Sequence, residues 1–519
     1  TIITPLKIPR FSPKANILSL VANMIRQLNY SRVWLLLILV FALFLRLKAA
    51  FSYPNILWPD EIFQTLEQAH RLAFGNGMIP WDFRDGIRSW LFPGILGGIM
   101  KLTAGFSEGS SGYLASVKIF LSLLSLIPVW IGFSIAYESI GLAGAILTGG
   151  ICGIWFEFIY FAPKAFTEVI AAYSLLVGVY LGCYGKNPPS RQRLYWTGFF
   201  YGLTTYLRFH LLPAIAIALI YQVRQKNFPH LLPLALGFIG PVLLGGALDA
   251  FTLSTPFQSI WKLIWINIFE GKFNSFGVSP WQQYFTWLAL NWSWWLFPIL
   301  FFSVIAARRH WILALLALVI ILSHSFLGHK EYRYMFPALP LIIILASVGT
   351  ATLVSRLSLM RGSLAGKTIV IFSSLLLWAF LSWLLAGRFN TDQTFNFGPP
   401  WQKPGYTHWQ THGGQLQAYQ YLSSEKKLCG VGVKGLAWQY TGGYAYLHQD
   451  VPIYFLKDNQ NFEELQSYFN YLLFNQDTAA VGDYQREKCF NGTCVYRRSN
   501  SCQVNPNYHI NQYLKEAGE

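Results

Sequence analysis

Apolar runs of similar length, separated by short polar stretches, fill the first three quarters of the chain. "VWLLLILVFALFL" opens at Val33, "YLASVKIFLSLLSLIPVWIGFSIAY" at Tyr113 and "LPLIIILASVGTATLV" at Leu339. A helix that crosses a bilayer needs about 20 mostly apolar residues. The pattern therefore predicts an all-α polytopic membrane domain over 33–387, after an N-terminal segment at 1–32. From residue 186 onward the alternation is regular. Two short apolar pieces, 195–206 and 209–222, predict a hairpin with Arg208 at its far tip. Segments 228–248, 283–306, 311–327, 334–354 and 368–387 follow, with an external loop over 250–282. Twelve apolar segments can be counted, and 89–102 is the shortest early one. A cytoplasmic N-terminus and an external C-terminus need an odd number of crossings, so about 11 are expected, within about 11–13.

Two regions depart from this rhythm. Residues 51–88 form the first external loop, where "EIFQTLEQAHRLAFG" carries apolar residues near helical spacing. It predicts an amphipathic helix lying at the membrane interface and ended by Gly75, with Trp58, Trp81 and Trp90 in the aromatic belt. Residues 388–519 are rich in Gly, Tyr, Gln and Asn, with short alternating runs such as "VPIYF". They predict a small external α/β domain.

Charge sharpens the topology. The chain is 54% hydrophobic and 12% charged, with a net charge of +16. Residues 388–519 hold 11 basic and 11 acidic side chains, so the whole excess lies in 1–387, with 28 and 12. The basic residues collect in short loops: Lys7, Arg10, Lys14, Arg26 and Arg32, then 186–193, 224–226, 308–310, and Arg356, Arg361 and Lys367. This is the positive-inside pattern, and it argues against a nucleic-acid partner. The first apolar run lacks a small-residue cleavage site and reads as a retained helix. Four of the six cysteines, Cys429, Cys489, Cys494 and Cys502, fall in the C-terminal region. They allow up to two disulfides in any of three pairings, suited to the ER lumen or the periplasm. Cys152 and Cys183 lie in apolar segments and are expected to pack. No internal repeat, P-loop or dinucleotide fingerprint is present.

Acids are scarce before residue 388, so each is informative. Asp60 and Glu61 open the external helix in "WPDEIFQ". Helix capping is the plain reading of such a pair. A second external cluster changes the balance: "GHKEYRY" supplies His329, Lys330, Glu331 and Arg333, "WDFRDGIRSW" adds Arg84 and Arg88, and Arg208 adds another cation. Carboxylates facing cations at the outer membrane face suit displacement at a carbon bearing a phosphate. The carboxylate takes the proton of an attacking hydroxyl, and the cations stabilise the departing phosphate. A phosphate leaves without a proton, so this chemistry asks for no general acid; a single carboxylate pair, with cations to hold the phosphate, argues for a metal-free site, and no cofactor is expected. Glu168 could join the site if 161–168 is an external turn, while Glu157 and Asp249 lie at the ends of apolar segments. A transporter or flippase of a lipid-linked sugar, and a non-catalytic membrane subunit, are the competing classes.

These residues also resemble a known family. "PDEIFQTLEQAHRLAFG", "WDFRDGIRSWLFP" and "GHKEYRYMFPALPLI" are similar, in order and in membrane position, to three motifs of glycosyltransferase family 22. That family comprises the polyprenyl- or dolichyl-phosphate-mannose-dependent α-mannosyltransferases of N-glycan and GPI-anchor assembly. The resemblance covers about residues 33–355. It implies a GT-C fold and an inverting reaction with Asp60 as base and Glu61 beside it. It implies donor and phosphate contacts from Arg208, His329, Lys330 and Arg333, with Arg84 and Arg88 in support, and an acceptor side near Trp58, Gln64 and Glu331. The implied partners are a polyprenyl- or dolichyl-phosphate sugar, a glycolipid or glycan acceptor, and membrane lipids. Three positions depart from the pattern: Trp58 replaces the usual His, "RFH" replaces Arg-Pro-Thr, and "PKAFTE" stands where an Arg-Thr block is usual. The C-terminal region resembles nothing in that family.

Overall fold

A computed structural model describes residues 16–185, 189–224, 231–360, 364–391, 407–456, 459–499 and 501–516. Lys7, Arg10, Lys14, Lys186, Gln225, Lys226 and Arg361, all in the expected cytoplasmic loops, lie outside the described residues.

The long first run becomes the helix Asn16–Ser52. Its Leu36, Val40 and Phe44 are exposed, as a lipid-facing surface requires. Arg46 is the exception on its inner side. Its guanidinium is fully buried and donates to Ser125 Oγ at 2.8 Å, Gly153 O at 2.8 Å and Ala42 O at 3.0 Å. A cation inside a span is tolerated because oxygens of neighbouring helices take up its protons.

Six helical stretches among the described residues are long and apolar enough to cross a membrane: Tyr30–Ser52, Ser111–Ser139, Leu231–Leu253, Gln283–Ser325, Tyr332–Leu357 and Thr368–Ala386. Shorter apolar helices lie between them, including Leu91–Phe106, Leu142–Ile154 and Thr167–Cys183. His310 has non-helical angles (φ −115°, ψ 37°) and breaks Gln283–Ser325 at the expected "RRH" turn. The helices Arg191–Leu207 and Leu231–Leu253 pack backbone to backbone. A β-carbon on Gly198 or Gly202 would collide with the carbonyl of Leu234 or Phe238. Small residues at such crossings replace the hydrophobic drive that lipid surroundings remove.

The first loop, 51–88, differs from expectation. Glu61–Leu66 is π-helical and runs into the α-helix Glu67–Phe74, which Gly75 ends in a left-handed conformation (φ 98°). The stop is where the sequence puts it, but the helix does not lie on the interface. Nearly every residue from Glu61 to His70 is buried. The helix is covered by Leu91–Thr103 on one side, where Gly97 sits against the Ala69 carbonyl, and by the C-terminal domain on another. Within the loop Gln68 Nε2 donates to Phe63 O at 2.7 Å and Met78 O at 3.0 Å.

The C-terminal domain is α/β, as its alternating runs predict. Its strands are β1 (Val431–Lys434), β2 (Ile453–Leu456), β3 (Tyr471–Phe474), β4 (Ala480–Val481), β5 (Tyr484–Phe490) and β6 (Thr493–Arg497). They form one sheet in the order β2-β1-β3-β6-β5-β4, parallel from β2 to β3 and antiparallel beyond. Of the three possible pairings, the disulfides are Cys429–Cys502 and Cys489–Cys494. Cys152 is buried and Cys183 half-buried in the membrane domain.

The domain is fused to the first loop. One hydrophobic cluster runs from Ile62, Phe63 and Leu66 through Tyr113 to Tyr419, Val431 and Tyr444. The Glu67 carboxylate accepts three backbone N–H bonds, from Met78 (2.7 Å), Ala445 (2.8 Å) and Tyr444 (3.1 Å). Tyr113 donates to Ala445 O at 2.6 Å, Ser110 donates to Tyr446 O at 2.6 Å, and Asn511 bonds Ile79 N and Gly77 O. Burial pushes Glu67 up to about 7, although the three amides favour its ionised form.

Candidate functional site

Asp60 is not a helix cap. Its backbone is already helical (φ −57°, ψ −29°) and its side chain makes no capping hydrogen bond. The carboxylate turns instead to the guanidinium of Arg333. Arg333 stands on the 3-10 turn Tyr332–Ala338, which leads into the long helix Leu339–Met360. Its fork is fully used: Nε donates to Glu331 at 2.5 Å, Nη1 to Glu168 at 3.0 Å, and Nη2 to Asp60 and, at 3.4 Å, to Tyr334 Oη. Its guanidinium also lies over the rings of Tyr334 (4.9 Å) and Phe166 (5.1 Å). One arginine thus fixes three carboxylates from three segments distant in sequence, as a planar five-donor fork can.

Two of the three carboxylates have a second charged partner. Glu168, in the first turn of Thr167–Cys183, also meets Arg208 at 2.9 Å. Glu331 meets His329 at 3.1 Å. Among the described residues, the one ion pair of Asp60 is with Arg333, and its side chain is 28% exposed. Burial pushes Asp60 above the usual carboxylate range, and neighbouring Glu331 adds to this; Arg333 offsets only part of it. Burial also works to raise Glu331, but Arg333 and His329 outweigh it and hold Glu331 at about 2. The least tightly held acid of the cluster is therefore the one with the properties of a base.

Three neighbouring spaces share lining residues at this site, and Asp60 lines the first. A cavity of about 300 Å³ is lined by Asp60, Gln64, Trp81, Asp82, Arg88, Asn267, Phe273, Phe276, His329, Glu331, Tyr334, Trp438 and Gln439. Gln64 and Arg88 also line a polar niche of about 70 Å³, with Ser89, Thr167, Tyr206, Arg208 and His210. Phe209, His210 and Leu263 connect the niche to a mainly apolar groove of about 270 Å³ that includes Pro213, Ile264, Ile268 and Leu327. Asn267 and Phe273 close the circuit from groove to cavity. Each of the three, acid-lined cavity, cation-lined niche and apolar groove, thus shares lining residues with the other two.

The structure brings Asp60, Gln64, Arg88, His329 and Glu331 to the cavity and Arg208 to the niche. It moves others elsewhere. Glu61 turns away from Asp60, bonds Lys164 at 2.8 Å, and lines a separate small pocket with Lys118 and Tyr160. Arg84 is exposed, while Arg88 of the same block faces the cavity and pairs with Asp82 at 2.9 Å. Lys330 points back along its own turn and donates to the carbonyls of Ser279 (2.9 Å) and Leu327. Trp58 stacks on Phe161 (6.0 Å), meets Phe166 edge to face (5.8 Å) and does not line the cavity. Arg333 is only 3% exposed by its side chain and spent on carboxylates, so its geometry is that of a holder of Asp60.

Glu157 and Asp249 belong to structural networks. Glu157 accepts from Trp155 Nε1 (2.7 Å), Trp292 Nε1 (3.3 Å) and Tyr332 Oη. Asp249 accepts from Tyr206 Oη (2.6 Å) and from Ser259 N (2.9 Å) and Oγ (2.6 Å). Sequence reasoning missed Lys164, Asp82, His210, Phe273, Phe276, Trp438 and Gln439. Only Asp82 carried a local signal, as an acid beside Arg84 and Arg88. In the Asp60 cluster the carboxylates are already engaged by guanidinium or imidazole groups. Among the described residues the one compact set of metal-type donors is Asp477, Cys489 and Cys494, whose sulfurs are joined to each other.

A family model described as the Alg9-like mannosyltransferase family matches residues 36–396. GPI mannosyltransferase 3 of Drosophila melanogaster is 25% identical over 460 residues, 83% of this chain and 74% of that protein. Mannosyltransferase APTG1 of Arabidopsis thaliana is 26% identical over 331 residues, 60% of this chain and 58% of its own length. GPI alpha-1,2-mannosyltransferase 3 of Mus musculus is 26% identical over 350 residues, 61% and 59%. The chain thus spans under two thirds of the plant and mouse relatives. Among solved structures, ArnT from Cupriavidus metallidurans bound to undecaprenyl phosphate superposes with a TM-score of 0.58 at 12% identity, over 91% of this chain and 99% of that one. The shared architecture is the expected GT-C membrane fold.

Proposed function

The chain belongs to the Alg9-like mannosyltransferase family, and from that premise we propose that it moves a mannosyl group from a polyprenyl or dolichyl phosphate to a hydroxyl of a glycolipid acceptor. The transfer takes place at the outer face, in the ER lumen or periplasm, and inverts the anomeric centre. The observation that carries this reading is that the cavity lined by Asp60 adjoins both a niche holding Arg88 and Arg208 and an apolar groove. An apolar groove suits the first units of an isoprenoid chain. A niche with Arg88, Arg208 and His210 suits its phosphate. A cavity with one loosely held carboxylate suits the sugar and the incoming hydroxyl.

In this scheme the acceptor hydroxyl displaces part of the Asp60–Arg333 contact and gives its proton to Asp60. Its oxygen attacks the anomeric carbon from the face opposite the phosphate. The C–O bond to phosphate breaks, and the electron pair leaves on a phosphate whose charge Arg88 and Arg208 offset. Positioned base catalysis of this kind contributes about 10²–10⁴-fold, and preorganised cations add to it as the leaving charge grows. Arg333 acts on Asp60 as a positioning residue. Glu61, paired with Lys164, has no part in the transfer. The relatives' names support mannose as the sugar and a GPI-type glycolipid as the acceptor class.

The test is the configuration of the product. Purified protein given dolichyl β-mannosyl phosphate and octyl α-mannoside should form a disaccharide whose new linkage is α by NMR. A β-linked product would contradict single displacement, and a product with other lipid-phosphate sugars but not mannose would overturn the donor.

A further inference from the structure

Part of the wall of the Asp60 cavity comes from the C-terminal domain. Trp438 and Gln439 come from the C-terminal domain, on the 3-10 turn Trp438–Tyr440, and they line the Asp60 cavity but neither the niche nor the groove. The turn is built to stay in place. Thr441 Oγ1 donates to Trp438 O at 2.8 Å, and His412 stacks on Tyr440 with ring centroids 4.1 Å apart. The next turn runs straight into the amides that Glu67 receives. Trp438 also meets Phe63 edge to face at 4.8 Å, three residues from Asp60. On the first loop Trp81 lines the same cavity and stacks on Phe276 at 6.0 Å.

We propose that Trp438 and Gln439 form the acceptor-sugar subsite, with the indole as a platform for a pyranose face and the Gln439 amide bonding its hydroxyls. This rests on the transferase reading above. Inversion requires the acceptor to approach from the side opposite the phosphate, and the phosphate side is fixed by Arg88 and Arg208. Trp438 and Gln439 line the cavity beside Asp60 but not the phosphate niche, and the cavity is where an acceptor sugar has to pack. An aromatic face presents apolar area to the C–H face of a sugar, and a few polar groups around it set orientation. The C–terminal domain thus selects the acceptor while the membrane domain holds the donor.

The experiment measures initial rates in the full-length protein with dolichyl β-mannosyl phosphate as donor and octyl α-mannoside as acceptor. Trp438→Ala should raise the acceptor KM about tenfold, which equals about 1.4 kcal/mol of binding. It should leave kcat at saturating acceptor and the donor KM within about twofold, because those report the chemistry and the niche. Trp438→Phe should recover most of the loss. Gln439→Ala should raise the acceptor KM about threefold, and it carries the comparison should Trp438→Ala fail to fold. An acceptor KM unchanged in Gln439→Ala and in every folded Trp438 variant would overturn the subsite. So would a donor KM that rises in step with the acceptor KM. Asp60→Asn measured alongside separates the two readings: loss of transfer there with a normal acceptor KM in the Trp438 and Gln439 variants defeats the subsite alone. Retained transfer in Asp60→Asn defeats the catalytic reading.

Discussion

Replacing Arg333 by Met removes the shared cation and keeps most of the side-chain volume. The three carboxylates do not lose equally. Glu168 keeps Arg208 at 2.9 Å and Glu331 keeps His329 at 3.1 Å, whereas Asp60 loses its ion pair. Two unit charges about 4 Å apart interact by about 4 kcal/mol at an effective dielectric of about 20, or about 3 pKa units. Asp60 is 28% exposed by its side chain, and Arg88 remains beside it, so solvent and that second cation take back a share. A rise of about 1–2 units is expected. The sign follows from the role. A general base works only when ionised, so activity falls as pH drops through its pKa, and a higher pKa moves the acid limb of the profile to higher pH. The assay is kcat/KM for mannosyl transfer against pH. On the acid side Arg333→Met should lose about 10–100-fold at a given pH, with much of the loss recovered a unit or two higher. Arg333→Lys, which keeps a charge but not the fork, should shift the limb less. Removal of one partner of a buried pair costs about 3–5 kcal/mol of stability, so thermal unfolding is followed in parallel. An acid limb that stays in place, with a loss equal at every pH, would refute the view that Arg333 sets the state of Asp60.

Other expectations follow from particular contacts. Glu67→Ala leaves three amides without their acceptor at about 1–3 kcal/mol each, and should lower the melting temperature and open the seam between first loop and C-terminal domain to protease; an unchanged digestion pattern would contradict that seam. Lys164→Met strands the buried Glu61 carboxylate and should destabilise by about 3–5 kcal/mol, whereas the Lys164→Met/Glu61→Gln pair should restore most stability and keep kcat near wild type. A Glu61→Gln variant as inactive as Asp60→Asn would overturn the separation of these two acids. Cys429 and Cys502 close a loop with a sequence separation of 73, so Cys429→Ser with Cys502→Ser should cost about 4 kcal/mol by the chain-entropy estimate, read as a lower melting temperature in non-reducing buffer.

Much of the membrane domain was legible because its signal is local. Spans announce themselves by run length, the "RRH" turn by its charge, and the stop at Gly75 by the conformation only glycine adopts cheaply. The acid–cation pairing was legible as chemistry, yet who pairs with whom was not. Asp60 meets Arg333 across 273 residues and Glu61 meets Lys164 across 103. Adjacent helical side chains point about 100° apart, so two neighbouring acids belong to two sites. The buried state of Glu61–His70 escaped because a helix with apolar residues on one face looks interfacial until another domain covers its polar side. Glu67 and His70 are the residues that domain contact makes tolerable. Trp438 and Gln439 carried no local signal at all, since an aromatic residue in a Tyr- and Trp-rich chain has many uses, and only the fold brings that turn over Asp60.

The most direct measurement is mannosyl transfer by Asp60→Asn in the purified, full-length protein, with donor binding followed in the same preparation. The account predicts that kcat falls by about 10²–10⁴-fold while dolichyl β-mannosyl phosphate binds with wild-type affinity, because Arg88, Arg208 and the apolar groove are untouched. Transfer by Asp60→Asn within a factor of about ten of wild type, below the range a positioned base supplies, would contradict it.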